Sequence, residues 1–447
     1  MNQEFMKQKK VLPLVLSMSL PMMVSMLINS LYNIVDSIFV AQLGEAALTA
    51  VSLVYPLQML VTSIGVGFGV GISAAAAFYL GAGEQKKAGE AASQGFFLSI
   101  VHGICLSIGL SAFLPLFLKL FTSDGQIYGW GLEYGFIVMS FSVIVTMQIA
   151  FEKIYQSLGN MIVPTVCLAV GCITNIVLDP VFIFGLGPVP RMEVRGAAVA
   201  TVIGQIVSLL LYVVYFLKKG MGIEFSRRLM KPTGDVCKRL YMVGIPSSLT
   251  MGLPSLLVTL LNGLAGAFSA MYVLVLGVYF KLQTFIYLPA SGIVQGMRPV
   301  LSYNYGAGEK QRMKQILGVC TVLILVIMGA GMALFMGFPE PIMRMFTKDA
   351  VTIREGAAAL RIISLGFVIS GISVTASGAL EALGEGVASF MISMLRYLAV
   401  IVPAAWIGTK LIGITGLWAA FPVAEIVTAA ASAVIFCICY KKCLKGI

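Results

Sequence analysis

The sequence predicts an all-α membrane protein of twelve transmembrane helices, written as two parallel six-helix halves. Three observations carry this. Of 447 residues, 59% are hydrophobic and only 11% charged, against roughly 25% charged in a soluble domain. The apolar stretches are long enough to cross a bilayer as helices, each needing about 20 residues. The chain also repeats itself at a fixed spacing.

Taken in order, the expected spans lie near 12–41, 48–79, 92–121, 129–157, 162–187, 196–217, 239–267, 270–303, 315–337, 354–380, 387–411 and 414–440. Their helical length excludes an outer-membrane barrel, whose strands run about 10 residues with alternating polarity. The opening MNQEFMKQKK leads straight into the first span, which reads as a retained helix with no cleavage pattern. With the amino terminus inside, most of the 30 Lys and Arg fall on the cytoplasmic side, and Lys281 stands out as a cation within a span. That asymmetry accounts for the net charge of +11 through attraction to the anionic inner leaflet, without nucleic acid. The expected setting is therefore a bacterial plasma (inner) membrane, with both termini cytoplasmic.

The repeat is visible in its anchors. At an offset of 225, GAGE (81–84) recurs at 306–309, FTSD (121–124) as FTKD (346–349), and SLGN (157–160) as ALGE (382–385). Leu57-Gln58 matches Leu282-Gln283, and Pro21 matches Pro246. The offset becomes 220 where RGAAVATVIGQ (195–205) meets TGLWAAFPVAE (415–425). Several anchors in register mark a duplication. Six spans return the chain to its starting side, so the halves share one orientation, with a substrate site expected near the midplane. The expected boundaries are an amino-terminal lobe 1–217, a cytoplasmic linker 218–239 and a carboxy-terminal lobe 240–447. The repeated glycines of GAGE end one helix, and Glu84 or Glu309 begins the next. They lack the GxxxxGK[ST] pattern of a phosphate loop.

Candidate chemistry rests on a few polar groups inside spans. A carboxylate at the bilayer centre costs at least ~2.5–3.5 kcal/mol on insertion scales, so Asp36 needs a compensating function or partner. Ser25, Asn29, Tyr32, Asn33 and Asp36 share one helix face. In the fifth span Gly171, Thr174, Asn175 and Asp179 repeat the pattern, and Pro180 is expected to kink the helix. If the stripes face each other, Asp36, Asp179, Asn29, Asn33, Asn175 and Thr201 form an oxygen-rich cage. Two negative charges side by side in a poorly solvated interior favour uptake of a proton; the same oxygens also suit Na⁺. The opposing reading is a structural ion pair between Asp36 and Lys281.

Around this cage, Tyr32, Tyr55, Gln58, Gln283 and Met26 are expected to line a substrate cavity, Met and Tyr giving it adaptable surface. Lys281 is either a counter-ion of that cavity or a packing group. Glu425 replaces Gln205 of the first half and is expected to pair with Lys281, or else to line the cavity. Glu152 and Lys153 read as a solvated or interfacial pair, with a cavity-lining role for Glu152 as the alternative. The single histidine, His102, reads as a helix-face residue rather than a ligand. With one histidine and eight scattered cysteines without a CxxC pair, material for an enzyme or a bound metal cofactor is nearly absent.

These features together resemble the multidrug and toxic compound extrusion (MATE) family: VDSIFVAQLG after the polar stripe, LGAGE after the second span, QSLGN after the fourth, and N-x-x-x-DP in the fifth. The resemblance covers essentially the whole chain. It implies a V-shaped pair of bundles around a central cavity, and extrusion of lipophilic, often cationic, organic compounds in exchange for H⁺ or Na⁺, by a protein expected to be a monomer. In that family an aspartate of the first span and an asparagine and aspartate of the fifth hold the coupling ion; Asp36, Asn175 and Asp179 match. The NorM-type branch carries further acids in its seventh and tenth spans. Here the seventh has none, and Glu381 lies only at the cytoplasmic end of the tenth, a pattern nearer the DinF-type and MepA-type bacterial branches. The competing function is a lipid-linked precursor flippase of related topology, which would call for a strongly cationic cavity.

Overall fold

A computed structural model describes residues 4–445. The first half runs α1 (Phe5–Gln8), α2 (Val11–Ala41), α3 (Glu45–Gly81), α4 (Gln85–Phe121), α5 (Gly125–Ser140), α6 (Ser142–Ser157), α7 (Ile162–Phe184) and α8 (Glu193–Lys219). A 3-10 turn, Arg227–Met230, follows. The second half runs α9 (Gly234–Gly266), α10 (Ala270–Gly306), α11 (Lys310–Gly337), α12 (Pro339–Arg344), α13 (Ala350–Ser364), α14 (Phe367–Ala382), α15 (Gly386–Met394), a π-helical segment Leu395–Val400, α16 (Ile401–Ile412) and α17 (Ile414–Lys445). The described residues contain no strand.

Among the described residues, ten helical spans are long and apolar enough to cross a membrane, and two bent helix pairs, each counted as one span, bring the total to twelve. The expected spans 129–157 and 354–380 are these bent pairs, α5–α6 at 44° and α13–α14 at 49°. Each bend has a serine bonding back to the chain: Ser142 Oγ donates to the Met139 carbonyl at 2.8 Å, and Ser364 Oγ to that of Arg361 at 3.0 Å. Such back-bonding competes with the helical ladder and bends it.

The repeated tetrapeptides are helix ends. Gly83 and Gly308 take left-handed φ of 77° and 73°, Gly159 and Gly384 of 77° and 85°. Each turns the chain so that the next amide reaches back: Glu84 N–H to Tyr79 O, Glu309 to Asn304, Asn160 to Tyr155 and Glu385 to Leu380. This is the helix-closing bond of a Schellman turn. Asp124 and Asp349 cap the helices that follow, accepting from Gln126 and Ile127 amides and from the Thr352 amide. These Thr352 bonds hold the Asp349 carboxyl, in a connection outside the spans, below the ordinary carboxylate range. Glu84 and Glu309 begin α4 and α11 but make no side-chain cap. They form ion pairs instead, with Lys87 and Lys7.

The chain divides into two compact units, one of Val24–Ser248 and one of Phe5–Met23 with the residues from Leu249 on. The unit boundaries therefore fall inside α2 and α9 rather than in the stretch 218–239. Paired glycines explain this. In α3, methyl groups at Gly67 and Gly71 would overlap Ser248 and the Leu240 carbonyl of α9. Their counterparts in the repeat are Gly292 and Gly296 of α10. Methyl groups there would sit 2.5 Å from Met23 and Ser19 atoms of α2. Small residues four apart let backbones approach closely, which drives helix association in lipid. The stretch 218–239 packs against the rest of the first unit. Phe225 packs among Phe96, Phe151 and Phe216, Gln94 Oε1 accepts from the Thr233 amide at 3.0 Å, and α9 already starts at Gly234.

Replacing Gly71 or Gly296 with Leu is expected to lower thermal stability by about 1–3 kcal/mol or more through overpacking. Exposed Gly109, which meets nothing within 4 Å, should accept Leu with little change. Fluorescence-detected gel filtration after a heating series would compare them.

Candidate functional site

The site of the first unit starts from a close crossing of α7 and α8. A Cβ at Gly171 would lie 2.8 Å from the Gly204 carbonyl oxygen, and one at Gly204 would lie 2.7 Å from that of Gly171. One turn further along α7, this proximity sets Asn175 against α8. Asn175 Nδ2 donates to Thr201 Oγ1 and to Asp179 Oδ1, each at 3.3 Å. Asn175 and Asp179 stand four residues apart on one helix face, as do Tyr32 and Asp36 on α2. α7 stays helical through Pro180 to Phe184, so the expected kink does not interrupt it.

The two faces meet. The carboxyl groups of Asp36 and Asp179 lie in hydrogen-bonding contact with each other. Asp179 is fully buried. No lysine or arginine among the described residues forms an ion pair with either acid. Asp36 Oδ1, Asp179 Oδ2 and Asn175 Oδ1 are buried without a hydrogen-bond donor, which is costly in a poorly solvated interior. The Thr201 hydroxyl is the hub, contacting Tyr32 and Tyr134 besides Asn175. Gln58 Nε2 donates to the Tyr134 hydroxyl at 3.2 Å.

Of the residues expected in the cage, the structure brings Asp36, Asn175, Asp179 and Thr201 together. Asn33 is not among them: it is exposed, and its Nδ2 donates to the Asn29 carbonyl at 2.7 Å. It is spent on its own helix, and Tyr32 takes the inward position. Tyr134 of α5 escaped the sequence reading because nothing in a span that ends at a bend signals which face turns in. Of the residues expected in the substrate cavity, Tyr32 and Gln58 join this cluster. Asn29, Tyr55 and Lys281 are exposed, and Met26 and Gln283 half-buried.

Three ion-pair expectations are corrected. Glu425 pairs with Arg396, not Lys281: Arg396 Nε and Nη2 reach Glu425 Oε1 at 2.8 and 2.7 Å. Lys281 forms no ion pair among the described residues, so it also fails as the structural partner of Asp36. The Lys153–Glu152 pair, at 2.8 Å, is not solvated; Lys153 is 3% exposed and also donates to Gln156 Oε1. Glu381, at the end of α14, pairs with Arg298. His102 bonds the Tyr241 hydroxyl at 2.9 Å, and no group of three potential metal ligands occurs among the described residues.

A duplicated bundle of apolar helices with an acidic cluster buried inside one half defines a polytopic membrane protein of transporter architecture. The MatE family model matches residues 21–181 and 246–407, one match in each half, and the chain belongs to that family. The multidrug export protein MepA of Staphylococcus saprophyticus is 26% identical over 422 residues, covering 93% of this chain and 91% of the relative. MepA of Staphylococcus aureus (strain NCTC 8325 / PS 47) is 26% identical over 436 residues, covering 96% and 94%. Among solved structures, an outward-facing multidrug resistance MATE transporter of the MOP superfamily matches with a TM-score of 0.92 at 24% identity, over 100% of this chain and 99% of the other. A MATE structure in the bent conformation matches at 0.93, with the same identity and coverage. These share the fold.

Thr201→Val should leave Asn175 and two tyrosine hydroxyls short of a partner and lower stability by about 1–3 kcal/mol, whereas Thr201→Ser should stay near wild type. Thermal unfolding of the detergent-purified variants checks this.

Proposed function

We propose that the protein is a secondary active antiporter of a bacterial plasma membrane, exporting lipophilic, often cationic, organic compounds in exchange for H⁺, with Asp36 and Asp179 as the coupling-ion site. One observation carries the reading: two carboxyl groups from different helices touch, and among the described residues neither forms an ion pair with a basic side chain. Two ionised carboxylates do not share a buried site stably, so a proton or another small cation has to join them. The MepA relatives, which are multidrug export proteins, supply the substrate class. Asn175 and Thr201 hold Asp179 in place, and Tyr32 and Tyr134 stand against the cluster.

The cycle follows from charge. With both acids ionised, the site attracts a cationic substrate but is poorly solvated. Loading a proton from outside removes the attraction and permits α2 and α7 to repack, releasing the compound outward. One monovalent cation in for one out is electroneutral; each uncompensated charge would instead feel about 2.3 kcal/mol per 100 mV. Na⁺ would satisfy the same oxygens, and the driving gradient separates the two.

The test is purified protein in vesicles with ethidium as the organic cation, imposing ΔpH and ΔNa⁺ separately. Exchange driven by ΔpH alone is expected. Asp36→Asn and Asp179→Asn should each lose at least about tenfold in ΔpH-driven exchange, equivalent to about 1.4 kcal/mol or more. Normal exchange with normal pH dependence in either variant would remove that residue from the mechanism.

A further inference from the structure

The second unit carries its own buried carboxylate at a position where the first has none. Glu425 is the repeat counterpart of Gln205, the last residue of the matched runs 195–205 and 415–425. Its partner Arg396 is the repeat counterpart of Gly171, the glycine that lets α7 cross α8. The two changes therefore fall at the same helix crossing and complement each other in charge. In the same register, the counterparts of Asn175 and Asp179 are Val400 and Ala404, so the second unit has no copy of the acid pair. The π-helical segment Leu395–Val400 sits at this crossing, a local widening often found at functional positions.

The surroundings are closed. Arg396 and Glu425 side chains are 10% and 14% exposed. Arg396 Nη2 also donates to the Tyr287 hydroxyl at 2.9 Å, and Tyr287 lies 2.6 Å from Ser370 Oγ. The guanidinium lies over the rings of Tyr287 and Tyr397. The titratable or charged groups around Glu425 are Arg396 and Tyr397 of the π-helical segment and Tyr279 and Tyr287 of α10. From the α13–α14 bend come Gly366, Phe367 and Ser370, none charged. Both guanidinium contacts go to Oε1, and Glu425 Oε2 is buried without a donor.

We propose that Glu425 is a second cation site, kept permanently occupied by the chain's own guanidinium, Arg396. The first unit exchanges a small monovalent cation at Asp36 and Asp179; the second holds a tethered one that cannot leave. This rests on the coupling role proposed for the acid pair. The physical reason is common to both: a carboxylate inside the bilayer has to be neutralised. Where no basic side chain is supplied, an exchangeable cation serves; where Arg396 is supplied, the site is closed to exchange. The free Oε2 is the oxygen a mobile cation would take once Arg396 is gone. The pair thereby limits the transporter to the cations of one unit.

Cation binding by the purified, full-length protein tests this without transport. Proton uptake is counted when the pH of a weakly buffered detergent solution is lowered, with and without Na⁺. Arg396→Met should bind roughly one more proton, or one Na⁺, than wild type near neutral pH. Adding Glu425→Gln to it should return the count to that of wild type. A folded Arg396→Met protein with the wild-type count overturns the proposal. If that variant does not fold, Glu425→Gln alone decides: an unchanged count supports the tethered cation, and loss of one bound proton or Na⁺ overturns it. Failure of the acid-pair reading is separately visible, as wild-type uptake unaffected by Asp36→Asn and Asp179→Asn.

Discussion

The contact between Asp36 and Asp179 is the constraint around which the first unit is organised. Two acids that touch without a basic partner are tolerable only if something positively charged enters with them. Every neighbouring feature serves that contact. The Gly171–Gly204 crossing brings α7 against α8, Thr201 fixes Asn175, and Asn175 orients Asp179. Tyr32 and Tyr134 complete the enclosure. Other acids within the helices are treated differently: Glu152, Glu381 and Glu425 each pair with a cation of the chain itself. Among the described residues, a carboxylate pair without an ion-pair partner is thus a property of one place.

The duplication supplies the frame and its exceptions supply the chemistry. Helix-ending glycines, capping aspartates and the two bends recur because each half must solve the same problem of turning apolar helices back through lipid. The glycine pairs in α3 and α10 recur as well, and they explain why each compact unit takes up part of a helix that belongs, by sequence, to the other half. α2 and α9 are continuous through those boundaries. Each of these two helices is therefore built against different neighbours along its length, and its small residues and glycine contacts are placed accordingly.

Much of this was legible in the sequence. Charge and hydropathy specified the spans, and the repeat specified the helix ends, because lipid imposes period and length on every segment. The polar stripes singled out Asp36, Asn175 and Asp179, since polar residues at helical spacing in an apolar span need no knowledge of packing; Thr201 entered only as a nearby hydroxyl of the sixth span. Side-chain partners were less accessible. Lys281 drew attention as an isolated charge, yet Arg396, in an equally apolar run, is the cation that meets Glu425. The π-helical segment changes the register just there, and straight-helix geometry does not anticipate it. Asn33 went astray for a similar reason: its amide bonds to its own backbone, an option open to any asparagine on a helix.

The most direct measurement is infrared difference spectroscopy of the carboxyl C=O stretch in reconstituted protein, with and without an organic cation. A shared proton between Asp36 and Asp179 gives a protonated-carboxyl band that disappears when the compound binds and is missing from the Asp36→Asn/Asp179→Asn double variant. A band that survives in the double variant, or one indifferent to the compound, contradicts a coupling role for these acids.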